Sequence, residues 1–262
     1  MSVPTDLKRR LIICCDDLGM HPSINNATID LLESEKVQSA SLLAVTPSFE
    51  HAVERLIGSG IQGVGVHLAL NAEYSKIPWG PLSPTTDVPS LVKPDGFFYP
   101  STETGRVSWD VMEAEKELRR QIERVGETGL RITHLDGHLF FYEPSESSIE
   151  FTQMVSELAK SYSVPLRLRN EPTTKDSAWR TYYIWEDHDD AEGRFEYYRA
   201  LLSDPPGDGE IIIHPADNLE AIGHFSNAGM RRLADYLFFS SDEFIELSEN
   251  AGIEMMGWGD WQ

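Results

Sequence analysis

The sequence predicts an α/β fold, a parallel sheet covered by helices. Three observations carry this expectation. Short apolar runs alternate with amphipathic stretches of helical period along the whole chain. The length of 262 residues fits one large α/β domain or two small ones, and lies near the roughly 250 residues typical of a β/α barrel. No internal repeat, low-complexity tract or convincing boundary interrupts it, so a single domain over 1–262 is expected.

The first strand is predicted over 10–16. Leu11-Ile12-Ile13-Cys14-Cys15 runs straight into Asp16-Asp17-Leu18-Gly19. So short an apolar run reads as a strand buried on both faces. Two carboxylates at its end are costly unless they meet a cation, a proton or several donors. In α/β proteins, sites form just outside the carboxyl ends of parallel strands. The stretch therefore reads as a core strand delivering two acids to a site, or as a plain strand-to-helix turn with Asp17 or a neighbour as cap. A helix over 24–34 follows, capped by Ser23 or Asn25. A strand over 40–45 ends at Thr46-Pro47. A helix over 49–57 is closed by Gly58 and Gly60, and a strand over 64–70 carries His67 in an apolar run.

Residues 74–108 change character, with six prolines from Pro78 to Pro100 and the aromatics Trp79, Phe97, Phe98 and Tyr99. So long a loop without elements of its own is usually functional or mobile; most of its aromatics, with Trp109, are expected to pin it to the body. Over 109–126 an amphipathic helix carries Val111, Met112, Ala114, Leu118, Ile122 and Val125 on one stripe. The strand predicted over 130–142 holds His134, Asp136 and His138 at period two, hence on one side. A helix over 148–162 and a short strand over 164–169 with Arg167 and Arg169 follow. Residues 170–190 are polar and yield no element. A helix over 195–202, a turn over 205–209, a strand over 210–215 ending at His214-Pro215, and helices over 226–238 and 242–251 complete the chain.

With 43 acidic against 22 basic residues the net charge is −21. That argues against a nucleic-acid surface, which needs clustered Lys and Arg, and against an anionic membrane. The only cysteines, Cys14 and Cys15, are neighbours in a strand and point to opposite faces. No structural disulfide is expected, which is compatible with a reducing compartment. No signal-peptide core precedes the first strand and no run of about 18 apolar residues exists, so a cytoplasmic location is expected.

Asp16, Asp17, His67, His138 and His214 all lie in or at the ends of apolar strands. A single such His is more often a hydrogen-bonded core residue than a ligand, but four strands presenting acid or imidazole form a pattern. One carboxylate plus two imidazoles suits a divalent metal with open positions, and a second carboxylate beside it could take a proton from water. The pattern gives metal-assisted hydrolysis; a phosphoesterase or a decarboxylase could use the same residues.

Five blocks in order resemble the YdjC-like carbohydrate deacetylases, which include the chitooligosaccharide deacetylases. They are Cys15-Asp16-Asp17-Leu18-Gly19, the run Gly65 to Asn71, Pro81-Leu82-Ser83-Pro84 with Val88 to Val92, Thr133-His134-Leu135-Asp136-Gly137-His138, and His214-Pro215. The resemblance covers about residues 11–250. It implies a (β/α)-barrel-like fold related to polysaccharide deacetylases and one divalent ion, magnesium or zinc. Asp16 matches the catalytic base, and Asp17, His67 and His138 match the metal ligands. His214 sits where an acid or a substrate contact would be, and Arg167 resembles a substrate-binding Arg. Two departures stand out: His138-Leu139-Phe140-Phe141-Tyr142 lacks the extra imidazoles frequent in the family, and Ala216 replaces a Gly. The expected function is removal of acetyl groups from N-acetylated sugars or short oligosaccharides. A phosphoesterase and a non-catalytic sugar-binding protein are the alternatives. The expected partner is a small carbohydrate, with a homodimer as a compatible assembly. Asp136, one strand repeat before His138, is expected to support a ligand His rather than bind the ion, and His134 to serve stability.

Overall fold

A computed structural model describes residues 9–106, 108–143, 148–168, 180–184, 190–203 and 207–260. Its elements are β1 (Arg9–Leu18), α1 (Pro22–Glu33), β2 (Ser39–Leu42), α2 (Phe49–Gly58), β3 (Gly63–Leu68), α3 (Thr102–Arg106), α4 (Val111–Glu127), β4 (Arg131–Gly137), α5 (Ile149–Tyr162), β5 (Arg180–Tyr183), α6 (Ala191–Ser203), β6 (Gly209–Ile213), α7 (Leu219–Gly223), α8 (Gly229–Phe239), α9 (Asp242–Asn250) and β7 (Ile253–Met256). The strands form one parallel sheet in the order β4-β3-β2-β1-β6-β5, with β7 beside the start of β1.

The sheet is strongly curled. β4 and β6 are four places apart, about 19 Å in a flat sheet at 4.7–4.9 Å per strand. Yet the guanidinium of Arg167 lies 2.8 Å from Asp136 on β4 and 2.9 Å from Glu210 on β6. Beyond β4 the one further pairing among the described residues is a bridge from Leu135 to Leu166. The expected parallel α/β architecture is what the chain adopts.

Period two in β1 sorts its side chains between two cores. Leu11, Ile13 and Cys15 join the large cluster between sheet and helices. Ile12 and Cys14 face inward and pack with Trp258 in a small cluster of their own. Both cysteines are free and buried, on opposite faces as expected. The inner face of the curled sheet is largely polar: it also holds Asp16, Ser41, His67, His134, Asp136 and Glu210, all buried. Trp258 closes the bottom, stacked on His134 at 5.1 Å and donating its indole N–H to Glu210 at 2.8 Å. Trp258→Ala should cost about 3–5 kcal/mol, the usual range for removing a buried Trp, measured by denaturant unfolding.

Several local expectations shift. α1 is capped by His21, whose Nδ1 accepts from Ser23 N at 3.1 Å. Asn25 instead accepts from Gly19 N at 2.7 Å. β4 stops at Gly137, because Leu139 (φ 52°) and Phe140 (φ 49°) turn left-handed, which no strand tolerates. Met112 is 80% exposed and not part of the buried stripe of α4. That face holds Glu117 and Gln121 instead, which accept from Leu82 N, Ser83 N and Ala69 N. They fasten the long loop to the end of β3. Trp79, Phe98 and Trp109 are buried, so they pin the loop as expected, whereas Phe97 is exposed. β5, β7 and α7 had no counterpart in the sequence reading. Most of 170–190, Arg169 and part of the 205–209 turn lie outside the described residues.

Candidate metal centre and cleft

The two acids of β1 would point to opposite faces in a regular strand. They share the site because the strand breaks its own alternation there. Asp17 adopts φ 67°, Gly19 φ 96°, and the β1–β2 register shifts between Cys15 and Leu18. A Cβ at Gly19 would lie 2.9 Å from the Leu43 carbonyl, so the turn requires glycine. Held in the left-handed region, Asp17 costs of order 1–3 kcal/mol, the kind of strain that persists at functional sites.

Asp17, His67 and His138 converge. Oδ1 of Asp17 lies 3.5 Å from His67 Nε2 and 3.2 Å from His138 Nδ1, and the two nitrogens are 3.3 Å apart. Three ligands of a tetrahedral ion at 2.0–2.2 Å would be separated by about 3.3–3.6 Å. All three residues are buried, and Asp17 Oδ1 finds no hydrogen-bond partner among the described residues. Its other oxygen accepts from Arg232 of α8 at 2.5 Å. The donor set and the orphaned oxygen fit a divalent cation.

Each imidazole is oriented from behind by a carboxylate. His67 Nδ1 donates to Asp136 Oδ1 at 2.8 Å, leaving Nε2 for the centre. His138 Nε2 donates to Glu73 Oε2 at 2.9 Å, leaving Nδ1. This carboxylate–histidine pairing is the usual support of a metal-binding His. Burial alone would lower the His67 pKa, but Asp136 and Asp16 overcome it and push it up to about 10. Burial is likewise outweighed at His138, where Glu73 and Asp17 push it up to about 9. For Asp17, burial works to raise the carboxyl, but Arg232 and the two imidazoles hold it well below the usual range.

Asp16 lies beside this trio, 3.9 Å from His67 Nδ1. Arg167 grips it with two N–H groups, at 2.8 and 2.9 Å, and the same guanidinium holds Asp136 and Glu210. Arg167, expected at the substrate, thus lies 3% exposed beneath the site, its guanidinium held by Asp16, Asp136 and Glu210. His134 sits deeper still, near Asp136 Oδ2 (3.4 Å) and Cys14 Sγ (3.8 Å), away from the trio. His214 lines the same cleft, its backbone N–H held by Asp235 at 3.0 Å. Burial, with Arg232 nearby, pulls its pKa down to about 4, below the usual imidazole value.

The cleft is lined by these groups together with Glu73, Tyr74, Leu139, Phe140, Tyr183 and Arg232. Glu73 and Arg232 were missed in the sequence. Glu73 sits in a loop with no periodic signal. Arg232 did carry a signal: with Asp235 and Phe239 it falls at i, i+3 and i+7, the buried face of α8.

The family model described as "YdjC-like protein" matches residues 10–250. A carbohydrate deacetylase of Oceanobacillus iheyensis is 29% identical over 239 residues, 89% of this chain and 94% of its own. One from Listeria monocytogenes is 28% identical over 262 residues, 96% and 99% of the two chains. Among solved structures, a candidate cellobiose-phosphate cleavage protein from Enterococcus faecalis superposes with TM-score 0.80 at 22% identity, over 97% of this chain and 99% of that one; this likeness concerns the fold.

Proposed function

The chain belongs to the family of YdjC-like proteins, and from that premise we propose that it is a metal-dependent carbohydrate deacetylase. It would cleave the acetamide of an N-acetylated sugar or short oligosaccharide. The observation that carries this reading is the convergence of Asp17, His67 and His138 beside Asp16 on the floor of one cleft. The relatives named carbohydrate deacetylases support the substrate class.

In this reading Asp17, His67 and His138 hold one divalent ion. Two imidazoles and one carboxylate favour zinc over magnesium, which prefers oxygen ligands. A bound ion supplies Lewis acidity to the amide carbonyl and to the attacking water. Asp16 takes the water's proton, held in position by the bidentate grip of Arg167. His214, neutral before substrate enters, has no spare proton; its role is an imidazole contact to the acetamide. The leaving nitrogen is then protonated from Asp16, which has just gained a proton. Two free buried thiols suit a reducing, cytoplasmic setting.

A two-metal phosphoesterase is disfavoured by Arg167. Its Nη1 lies 2.8 Å from both Asp16 Oδ2 and Asp136 Oδ2, placing a fixed positive charge where a second ion would need those oxygens. The deciding experiment is acetate release from N-acetylated mono- and oligosaccharides, with and without chelator and with zinc restored. Release that stops with chelator and returns with zinc is expected; none from any member of the panel sinks the reading.

Asp136→Asn should weaken metal binding about 10–100-fold without abolishing it, as loss of a carboxylate behind a metal-bound His does. Competition with a chromophoric chelator measures this, and an unchanged affinity would remove Asp136 from the supporting role.

A further inference from the structure

The cleft has an acidic floor and an aromatic wall. Leu139 and Phe140 directly follow His138, and both adopt left-handed backbone conformations although neither is glycine. The rest of the structure holds them there. Thr102 Oγ1 donates to the Leu139 carbonyl at 3.2 Å and accepts from Asn71 Nδ2 at 2.9 Å. Phe141 and Tyr142, next in sequence, are buried, whereas Leu139 is 41% exposed and Phe140 half-buried, both on the cleft. Across the opening Tyr183, at the end of β5, packs edge-on against Phe140 with centroids 5.2 Å apart. The same ring stands edge-on to His214 at 5.7 Å. The wall thus runs without a break from the rim to the chemistry.

We propose that Phe140 and Tyr183 form the platform that holds the substrate's pyranose ring, and so select cyclic N-acetylated sugars. The proposal rests on the carbohydrate reading of the site. Aromatic faces carry negative charge, and the C–H groups on one face of a pyranose are the complement to it. The hydroxyls at the ring's edge point away from that face, toward Glu73, Asp16 and solvent. A ring laid on the platform brings its acetamido group down to the centre, because His214 links the platform to the floor. An acyclic acetamide reaches the same floor with nothing to hold it.

The test uses zinc-loaded Asp16→Asn protein, so that binding is read without turnover. N,N′-diacetylchitobiose is titrated calorimetrically into this parent and into the same protein carrying Phe140→Ala, Tyr183→Ala or Phe140→Trp. Each alanine should weaken the dissociation constant about tenfold, equivalent to the 1.4 kcal/mol typical of a lost aromatic contact, while Phe140→Trp stays close to the parent. N-Acetylethanolamine should bind the parent and its Phe140→Ala form alike, or bind neither. Chitobiose binding that is absent in the parent, or unchanged in both alanine variants, overturns the platform. Acetate release by the wild type is scored separately. Sugar binding that depends on Phe140 with no release fails the deacetylase reading alone; release with unchanged binding in the alanine variants fails the platform alone.

Discussion

His67→Ala should strip the protein of its ion and its activity together. His67 contributes one corner of the trio, 3.3 Å from His138 Nδ1 and 3.5 Å from Asp17 Oδ1. Two ligands remain in the variant, and the loss of affinity should exceed the roughly 100-fold upper figure for removing a group behind a ligand. Lewis-acid stabilisation is worth several kcal/mol, so turnover should fall by about 10³-fold or more. The fold should survive, because Asp136 keeps Arg167 as a partner. Elemental analysis of purified protein provides the check: one ion per chain in the wild type, and close to none in the variant. Two ions per chain would revive the phosphoesterase, and an active His67→Ala protein would falsify the assignment of the centre.

Asp16→Asn should separate chemistry from metal binding. Amide and carboxylate have nearly the same shape, but the amide cannot take a proton at neutral pH. Turnover should fall by about 10²-fold or more, the scale for a positioned base, with the ion retained. Breaking a buried ion pair often costs 3–5 kcal/mol because a charge is left uncompensated. Here Arg167 still has Asp136 and Glu210, so the cost should fall below that range. Metal content, melting temperature and acetate release on one preparation distinguish the cases. If the ion is lost, Asp16 is a ligand; if full turnover persists, it is not the base.

Much of this site was legible because its main residues lie in or at the ends of apolar runs. Asp16 and Asp17 follow Leu11 to Cys15, His67 sits within a valine- and leucine-rich strand, and His214 follows three isoleucines. A buried strand admits few polar residues, so those that occur stand out. What was not legible depends on the third dimension. Arg167 is expected at the substrate only through the family resemblance; its burial among Asp16, Asp136 and Glu210 depends on how the sheet curls. The lowered pKa of His214 comes from burial and from Arg232, a helical residue far along the chain. Glu73 has meaning only once the loop after β3 folds back on His138. The sequence reading also carried the strand through Phe140, where two left-handed residues instead make a wall of the cleft.

The placement of β1 also governs how the protein must come into being. β1 pairs on one side with β2, which follows it closely, and with β7 below it; on the other side it pairs with β6, made some 200 residues later. Emerging from the ribosome, the strand that carries both acids has one flank unpaired until nearly the whole chain is made. Its exposed backbone is an invitation to other chains. The carboxylates gathered around Arg167 also lack their floor until Trp258 is in place. Pairings this distant in sequence close slowly. The strand that carries both acids therefore waits for a partner made some 200 residues later, and a nascent chain halted before β6 would expose a sticky edge bearing an unfinished site.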